Sequence, residues 1–92
     1  MARVVLPGPL LLDAGGHARV DVAPQASTVG EALEALFALH PRLRARIFDE
    51  QGRLRPHVNV FVGQESIRYS GGLSTRLRDG AEIVVLPAVS GG

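Results

Sequence analysis

The sequence contains no cysteine, no lysine and no tryptophan, and it has no uninterrupted apolar run approaching the ~20 residues that cross a bilayer. Without cysteine, disulfide bonds, thiolate catalysis and cysteine-based zinc sites are excluded, so the fold depends on its apolar core. All 10 basic side chains are arginine, which leaves the N-terminus as the only amine able to accept an acyl group. We expect a cytoplasmic protein with no membrane partner.

The chain is also short and nearly neutral. Its 92 residues suffice for one domain, because two separate cores would each be too small to offset the entropy of folding. Ten basic and 9 acidic side chains leave a net charge of +1, so no strongly charged partner is required. Prolines 7 and 9 interrupt the apolar run Val4 to Leu12, which we interpret as a first strand and its turn and not as a targeting signal.

Two strands and a helix are predicted in the first half of the chain. Residues Arg3 to Leu6 and His17 to Val22 form a hairpin, because apolar residues alternate with polar ones in the second segment. Thr28 and Glu31 have the spacing of a capping box, in which each side chain satisfies the other's backbone N–H, so a helix begins there. Its apolar residues recur every three or four positions, and a proline ends it near His40.

An arginine-rich connection leads into the second half, where alternating apolar residues and glycine turns indicate short elements. These are, in order, a helical turn at Leu43 to Phe48, a turn at Gln51-Gly52, strands at Val58 to Val62 and Ser66 to Tyr69, a helical turn at Leu73 to Leu77, a turn at Asp79-Gly80 and a strand at Glu82 to Leu86.

The order of strand, strand, helix, strand, short strand and strand is that of a β-grasp (ubiquitin-like) domain. We therefore predict an α+β fold in which a mixed sheet of about five strands surrounds one main helix. The domain is expected to span residues 1–86, followed by a C-terminal tail at residues 87–92. Pro87 lacks a backbone donor, so the tail should leave the sheet there and be flexible.

The C-terminal residues Gly91-Gly92 are the most informative feature of the sequence. A glycine end without a role and an expression artefact are the two alternatives. The position of the pair at the end of a tail favours a function, since six residues at about 3.3 to 3.6 Å each reach roughly 20 Å into a neighbouring active site. Gly91, lacking a Cβ, would give the terminal carboxylate access, and Pro87, Ala88, Val89 and Ser90 would guide the tail.

A carboxylate is a weak electrophile, so a reaction at this terminus requires activation first. Adenylation by ATP would form a mixed anhydride, and a sulfur nucleophile could then convert the Gly92 carboxylate into a thiocarboxylate. Gly92 is thus the predicted attachment site of the sulfur.

Several segments together support a family resemblance. They are the Val58 to Val62 strand, the Gly63 turn, Ile67-Arg68-Tyr69-Ser70-Gly71-Gly72-Leu73, the Asp79-Gly80 turn, and Ile83 to Leu86 continuing into Pro87-Ala88-Val89-Ser90-Gly91-Gly92. The chain resembles the ThiS/MoaD family of ubiquitin-like sulfur carriers, most clearly over its last 35 or so residues. Within this family, the chain most resembles a carrier that serves a cysteine synthase. The small subunit of molybdopterin synthase is the next most similar.

The resemblance implies a protein co-substrate and not an enzyme. Its first partner would be an E1-like adenylating and sulfur-transferring enzyme that uses ATP, with no cofactor bound to the carrier itself. Its second would be a sulfur-accepting synthase, either cysteine synthase or the large subunit of molybdopterin synthase. Which of these pathways receives the sulfur stays open.

A carrier also needs an apolar docking face. The alternation of side chains along the last two long strands places Phe61, Val84 and Leu86 away from the face that the helix would cover. These three side chains are the predicted partner-binding patch, and the alternative is that they belong to the core.

Other clusters give weaker signals. A solvated loop is the preferred interpretation of Arg42, Arg44, Arg46, Arg53 and Arg55, because acidic neighbours dilute the charge and Phe48 is the one aromatic nearby. No nucleic-acid partner is expected. His17, His40 and His57 are isolated from one another, so no metal site is predicted.

The main rival from another class is a ubiquitin-like modifier or interaction module, joined to its targets through the C-terminal glycine. A small catalytic or nucleic-acid-binding domain is a third alternative. The sequence gives this alternative little support, because it has no Ser/His/Asp set, no converging carboxylates and no basic face rich in aromatics.

Overall fold

A computed structural model describes residues 2–22 and 26–87. The five strands are β1 (Ala2–Val5), β2 (Arg19–Val22), β3 (Val58–Val62), β4 (Glu65–Ser66) and β5 (Glu82–Pro87). They form one mixed sheet in the order β2-β1-β5-β3-β4, in which β1 and β5 are parallel and the other neighbours antiparallel. The main helix packs against one face of this sheet through contacts with β1 and β2. The β-grasp prediction is therefore confirmed.

The first two strands form the predicted hairpin with shifted ends. β1 spans Ala2–Val5 and β2 spans Arg19–Val22. Two 3-10 helices, Gly8–Leu10 and Leu12–Ala14, occupy the loop between them. The predicted start of the second strand at His17 is wrong by two residues, because the His17 N–H donates to the Ala14 carbonyl at 3.2 Å and prolongs the turn.

The helix α1 spans Val29–Leu39 and begins as predicted. The Thr28 hydroxyl accepts a hydrogen bond from the Glu31 N–H at 3.2 Å, which is the cap of the expected motif. The Glu31 carboxylate accepts a hydrogen bond from the Ser27 N–H at 2.8 Å, one residue before the N-cap. Besides this hydrogen bond from Ser27, the backbone of Thr28 also lowers the pKa of this carboxylate. His40 is the C-cap, in agreement with the predicted end.

The connection after α1 is more ordered than its composition suggests. A short helix α2 spans Leu43–Ile47, close to the predicted turn at Leu43 to Phe48. A bridge between Phe48 and Leu54 and the turn at Gly52 then return the chain to the sheet. Strand β3 spans Val58–Val62, with the predicted bounds.

The predicted strand at Ser66 to Tyr69 is wrong. Strand β4 is only Glu65–Ser66, and Ile67–Tyr69 is a 3-10 helix. The Ser66 hydroxyl accepts from the Arg68 N–H at 3.4 Å, and this local cap competes with strand pairing. A further 3-10 helix at Gly72–Ser74 falls one residue earlier than the start of the predicted turn at Leu73 to Leu77.

The last strand β5 spans Glu82–Pro87 and lies between β1 and β3. It extends one residue beyond the predicted end at Leu86, since Pro87 still lies opposite Val58. The predicted boundary between domain and tail at residues 86 and 87 stays a prediction.

One apolar core lies between the sheet and the helices. Its largest fully buried side chains come from both helices, from the 3-10 segment after β4 and from three strands: Leu33, Leu36, Leu43, Ile47, Ile67, Ile83, Val4, Val29, Val60 and Val85. No buried side-chain polar atom of the described residues lacks a hydrogen-bond partner. One face of the sheet is thus covered by a continuous apolar core.

Candidate functional site: the last strand and the outer sheet face

The sheet holds the chain firmly up to the point where the predicted tail begins. Strand β5 is paired on both sides, with Val4 opposite Ile83 on one side and Val60 opposite Val85 on the other. A central strand is anchored better than an edge strand, because both rows of backbone groups are bonded. The predicted tail therefore follows a strand that is paired on both sides.

The predicted tail residues Ala88, Val89, Ser90, Gly91 and Gly92 lie outside the described residues. Their roles as guide, access residue and sulfur attachment site stay predictions. Five residues at about 3.6 Å or less each extend at most roughly 18 Å beyond Pro87. An enzyme that acts on Gly92 must therefore contact the surface around the end of β5.

The alternation predicted for β3 and β5 is confirmed. Val58, Val60, Ile83 and Val85 are buried beneath the helices, whereas Phe61, Val84 and Leu86 are not among the buried core. Phe61 and Val84 are half-buried and Leu86 is 42% exposed. The alternative that these three side chains are simply core is thus not what the structure shows.

The sheet register brings the outward residues together. Phe61 lies opposite Val84, and Val84 lies opposite Val5 of the parallel neighbour β1, so three apolar side chains form a row across three strands. Leu86 is two residues further along β5 on the same face. We call Val5, Phe61, Val84 and Leu86 the outer apolar patch.

Val5 is the one member of this patch that the sequence did not predict. The sequence offers only a partial signal, because Arg3 and Val5 alternate with the apolar Ala2, Val4 and Leu6, and the register of β1 and β5 is needed to place Val5 beside Val84. The next row of the sheet is charged, with Arg3 paired to Asp21 at 3.0 Å and lying opposite Glu82. The patch therefore has a polar border on one side, as protein interfaces usually do.

A loop at the end of β3 and β4 carries the Tyr69-Ser70-Gly71-Gly72-Leu73 segment. Tyr69 is 88% exposed. Gly71 and Gly72 have φ values of 124° and 60°, which a side chain would strain. The Thr75 hydroxyl closes the loop by donating to the Gly72 carbonyl at 2.7 Å. This segment is thus a fixed turn, with an aromatic side chain displayed to solvent.

Arg68 ties this loop to the start of β3. Its Nη2 donates to the carbonyls of Val58, Pro56 and Arg55 at 2.9, 3.3 and 3.4 Å. Since Val58 lies opposite Pro87, the guanidinium supports the part of the sheet from which the tail departs.

The arginine-rich connection is largely neutralised. Arg44 is paired with Glu34, Arg46 with Asp13 and Arg53 with Asp49. Phe48 is buried against Phe37 with ring centroids 5.0 Å apart, so it is not available for stacking on bases. These pairs favour the predicted solvated loop over a basic patch.

The lowered pKa values of two carboxylates have structural causes. Hydrogen bonds from Ser27 hold the pKa of Glu31 below its usual value. Hydrogen bonds from the backbone of Arg53 and Gln51 do the same to the pKa of Asp49. Glu31 caps α1 and Asp49 closes the Gly52 turn, so these groups stabilise the fold and do not form an acid/base site at the patch.

His17 and His57 are exposed and His40 is half-buried. Residues 2–22 and 26–87 contain no group of three His, Cys, Asp or Glu side chains that could hold a metal ion. Among the same residues, no helix is long and apolar enough to span a bilayer.

Comparisons with known proteins agree with this geometry. The sequence model of the ThiS family matches residues 5–92. Sulfur carrier protein CysO of Mycobacterium tuberculosis is 35% identical over 91 residues, which are 97% of this chain and 96% of that protein. Small archaeal modifier protein 1 of Haloferax volcanii is 42% identical over 74 residues, which are 80% of this chain and 79% of that protein.

A solved structure gives the same result for the fold. A chain in the crystal structure of the Amycolatopsis orientalis BexX/CysO complex superposes with a TM-score of 0.89 and 34% identity, and the match covers 100% of both chains. The chain belongs to the ThiS family and is a sulfur carrier protein with the ubiquitin-like β-grasp fold.

Proposed function

We propose that the sulfur is carried at the C-terminus, as a thiocarboxylate on Gly92. The observation that carries this proposal is the family match, which extends through residue 92 and so includes the Gly91-Gly92 end. A central strand that is paired up to Pro87 supports it, because the terminus would then be presented from a fixed base.

The proposed reaction has two steps. A carboxylate oxygen of Gly92 attacks the α-phosphorus of ATP, and the bond to pyrophosphate breaks to give an acyl adenylate. A sulfur nucleophile such as hydrosulfide then attacks the acyl carbon, AMP leaves with the former carboxylate oxygen, and the thiocarboxylate remains. The carrier supplies only the carboxylate, so an E1-like adenylating and sulfur-transferring enzyme must bind the ATP.

A sulfur-accepting synthase would then use the thiocarboxylate. Cysteine synthase is the preferred acceptor, because the resemblance of the Tyr69 to Leu73 segment and the match to CysO agree with a carrier of that kind. The large subunit of molybdopterin synthase is the alternative. In either case the chain is a co-substrate that is regenerated when its carboxylate is released.

The outer apolar patch is the proposed docking surface for these enzymes, with residues 87–90 guiding the tail. Phe61, Val84 and Leu86 lie on the face that the helices leave uncovered, and β5 joins this face directly to the tail. An exposed apolar surface with a charged border fits a protein interface.

Reconstitution tests the reaction. The chain is incubated with ATP, sulfide and the adenylating enzyme of its own host, and the intact protein is weighed by mass spectrometry. We expect sulfur to replace one oxygen in the complete mixture and not when ATP is omitted. A variant lacking Gly92 is the matched control and should keep its mass. An unchanged mass in the complete mixture would contradict the proposal.

A second candidate is protein modification, which the 42% identity to small archaeal modifier protein 1 specifically favours. The same acyl adenylate would then lead to an amide with an amine of a target protein. The chain has no lysine, so it could not extend itself into polymers through side-chain amines. High-mass conjugates that disappear from cell extracts when Gly92 is deleted would support this function.

A further inference from the structure

A cleft of about 350 Å³ opens at the end of β5, beside the point where the tail departs. It lies between the loop after β1, helix α2 and the start of β3. We call it the basal cleft, and its lining residues include Leu10, Val58, Leu86, Arg46, Arg55 and His57. Its volume is at the lower end of the range of binding pockets, which is enough for a few side chains.

The lining of the cleft carries basic side chains and no carboxylate. Two arginines and a histidine line it, and none of its ten lining residues is an aspartate or glutamate. Arg46 is paired with Asp13 outside the lining, at 3.1 Å. Arg55 donates to the Ala45 carbonyl at 2.7 Å, and no carboxylate within the described residues forms an ion pair with it. A half-buried guanidinium of this kind suits a carboxylate of a partner.

The position of the cleft places it within the footprint of the activating enzyme. Val58 lines the cleft and lies opposite Pro87, so the tail begins at its edge. Since the remaining five residues extend at most roughly 18 Å, an enzyme enclosing Gly92 must approach the cleft closely. Leu86 belongs to both the cleft and the outer apolar patch, which makes the two surfaces continuous.

We propose that the basal cleft docks an acidic loop of the adenylating enzyme, with one apolar side chain seated inside and a carboxylate against Arg55. This inference rests on the proposed function, because it assumes that Gly92 is adenylated. A second copy of this chain fits less well, because a symmetric contact would bring the same arginines together.

Filling the cleft tests the proposal without changing its charge. Ala45 lines the cleft and is exposed on α2, so Ala45→Trp should block it while the fold is kept. Ala38→Trp places the same side chain at an exposed position on α1 and is the matched control. The probe is the adenylating enzyme of the host, assayed by ATP–pyrophosphate exchange over a range of carrier concentrations. We expect the KM for the carrier to rise about tenfold in Ala45→Trp with kcat unchanged, and no change in Ala38→Trp.

Charge variants test the acidic nature of the loop. His57→Glu places a negative charge at an exposed lining residue, and Arg78→Glu places one at an exposed position before β5, at the opposite end of this strand from the cleft. The KM should rise several-fold in His57→Glu and less at high salt, because attraction between exposed charges is screened. Arg78→Glu should have little effect.

The outcomes separate the two proposals. If the wild-type chain supports exchange and Ala45→Trp has an unaltered KM, the cleft proposal is overturned and the proposed function stands. If the wild-type chain supports no exchange, both fail. If sedimentation shows a dimer that Ala45→Trp dissociates, the cleft belongs to a second copy of the chain and the proposal is overturned.

Discussion

Truncating Leu86 is the most informative single change to the outer apolar patch. Leu86 is 42% exposed on the central strand, directly before the tail, and Asn59 lies opposite it on β3. Leu86→Ala removes apolar surface that a docked enzyme would cover, while the backbone of β5 is unchanged.

The expected magnitude follows from this exposure. Fully burying a leucine side chain is worth about 1.5 to 3 kcal/mol, and the exposed 42% of Leu86 corresponds to roughly 0.6 to 1.3 kcal/mol of that. Since about 1.4 kcal/mol is tenfold in an equilibrium constant, binding to the adenylating enzyme should weaken about three- to eightfold.

Pyrophosphate exchange measures this loss as a rise in the KM for the carrier, with kcat unchanged. Leu39 is a matched control, because it is 58% exposed but lies on α1, on the other side of the sheet. Leu39→Ala should leave the KM unaltered. Equal KM values for Leu86→Ala and the wild-type chain, with thermal melts confirming that both are folded, would refute the docking role of the patch.

Three further predictions concern the fold. Thr28→Ala removes the cap of α1 and should cost about 1 kcal/mol, seen as a melting temperature lower by about 4 to 8 °C, whereas Thr28→Ser should retain most of the stability. Because the pKa of Glu31 is lowered on folding, its carboxylate stabilises the folded chain at pH values above the pKa in the unfolded chain, about 4.3. This stabilisation is lost as the pH falls through the lower pKa of the folded chain. Glu31→Gln should therefore flatten the decline of stability in acid, and an unaltered slope would contradict this assignment. Arg68→Gln removes charged hydrogen bonds to three carbonyls and should lower the free energy of unfolding by about 1.5 kcal/mol in urea titrations, whereas a change at Arg78, which forms none of them, should have little effect.

Regular alternation made the sheet predictable. In β3 and β5, apolar residues that are buried in the core alternate with residues that are not buried. The sequence pattern therefore predicts both the presence of each strand and the face of the sheet on which each residue lies. Pro41 and the Thr28 cap likewise determine the limits of α1 through local backbone chemistry. These parts depend on interactions between residues close in sequence.

Parts that depend on competing local bonds or distant neighbours were not predictable. The Ser66 hydroxyl caps a 3-10 helix where a strand was expected, and two such helices occupy the loop after β1. Val5 can be assigned to the outer apolar patch only from the parallel register that places it opposite Val84. The basal cleft is formed by four separate segments, namely the loop after β1, helix α2, the start of β3 and the end of β5, so no local pattern indicates it.

The state of the C-terminus in living cells tests the central claim most directly. The chain has no cysteine, so a thiol-directed alkylating reagent has no side-chain thiol to modify. Protein purified from its native cells is alkylated and digested with trypsin, which releases residues 79–92 because no arginine follows Arg78. An adduct on Gly92 in this peptide is the predicted result and would demonstrate a thiocarboxylate. A plain carboxylate on every molecule, in cells that require sulfur transfer for growth, would contradict sulfur carriage at Gly92.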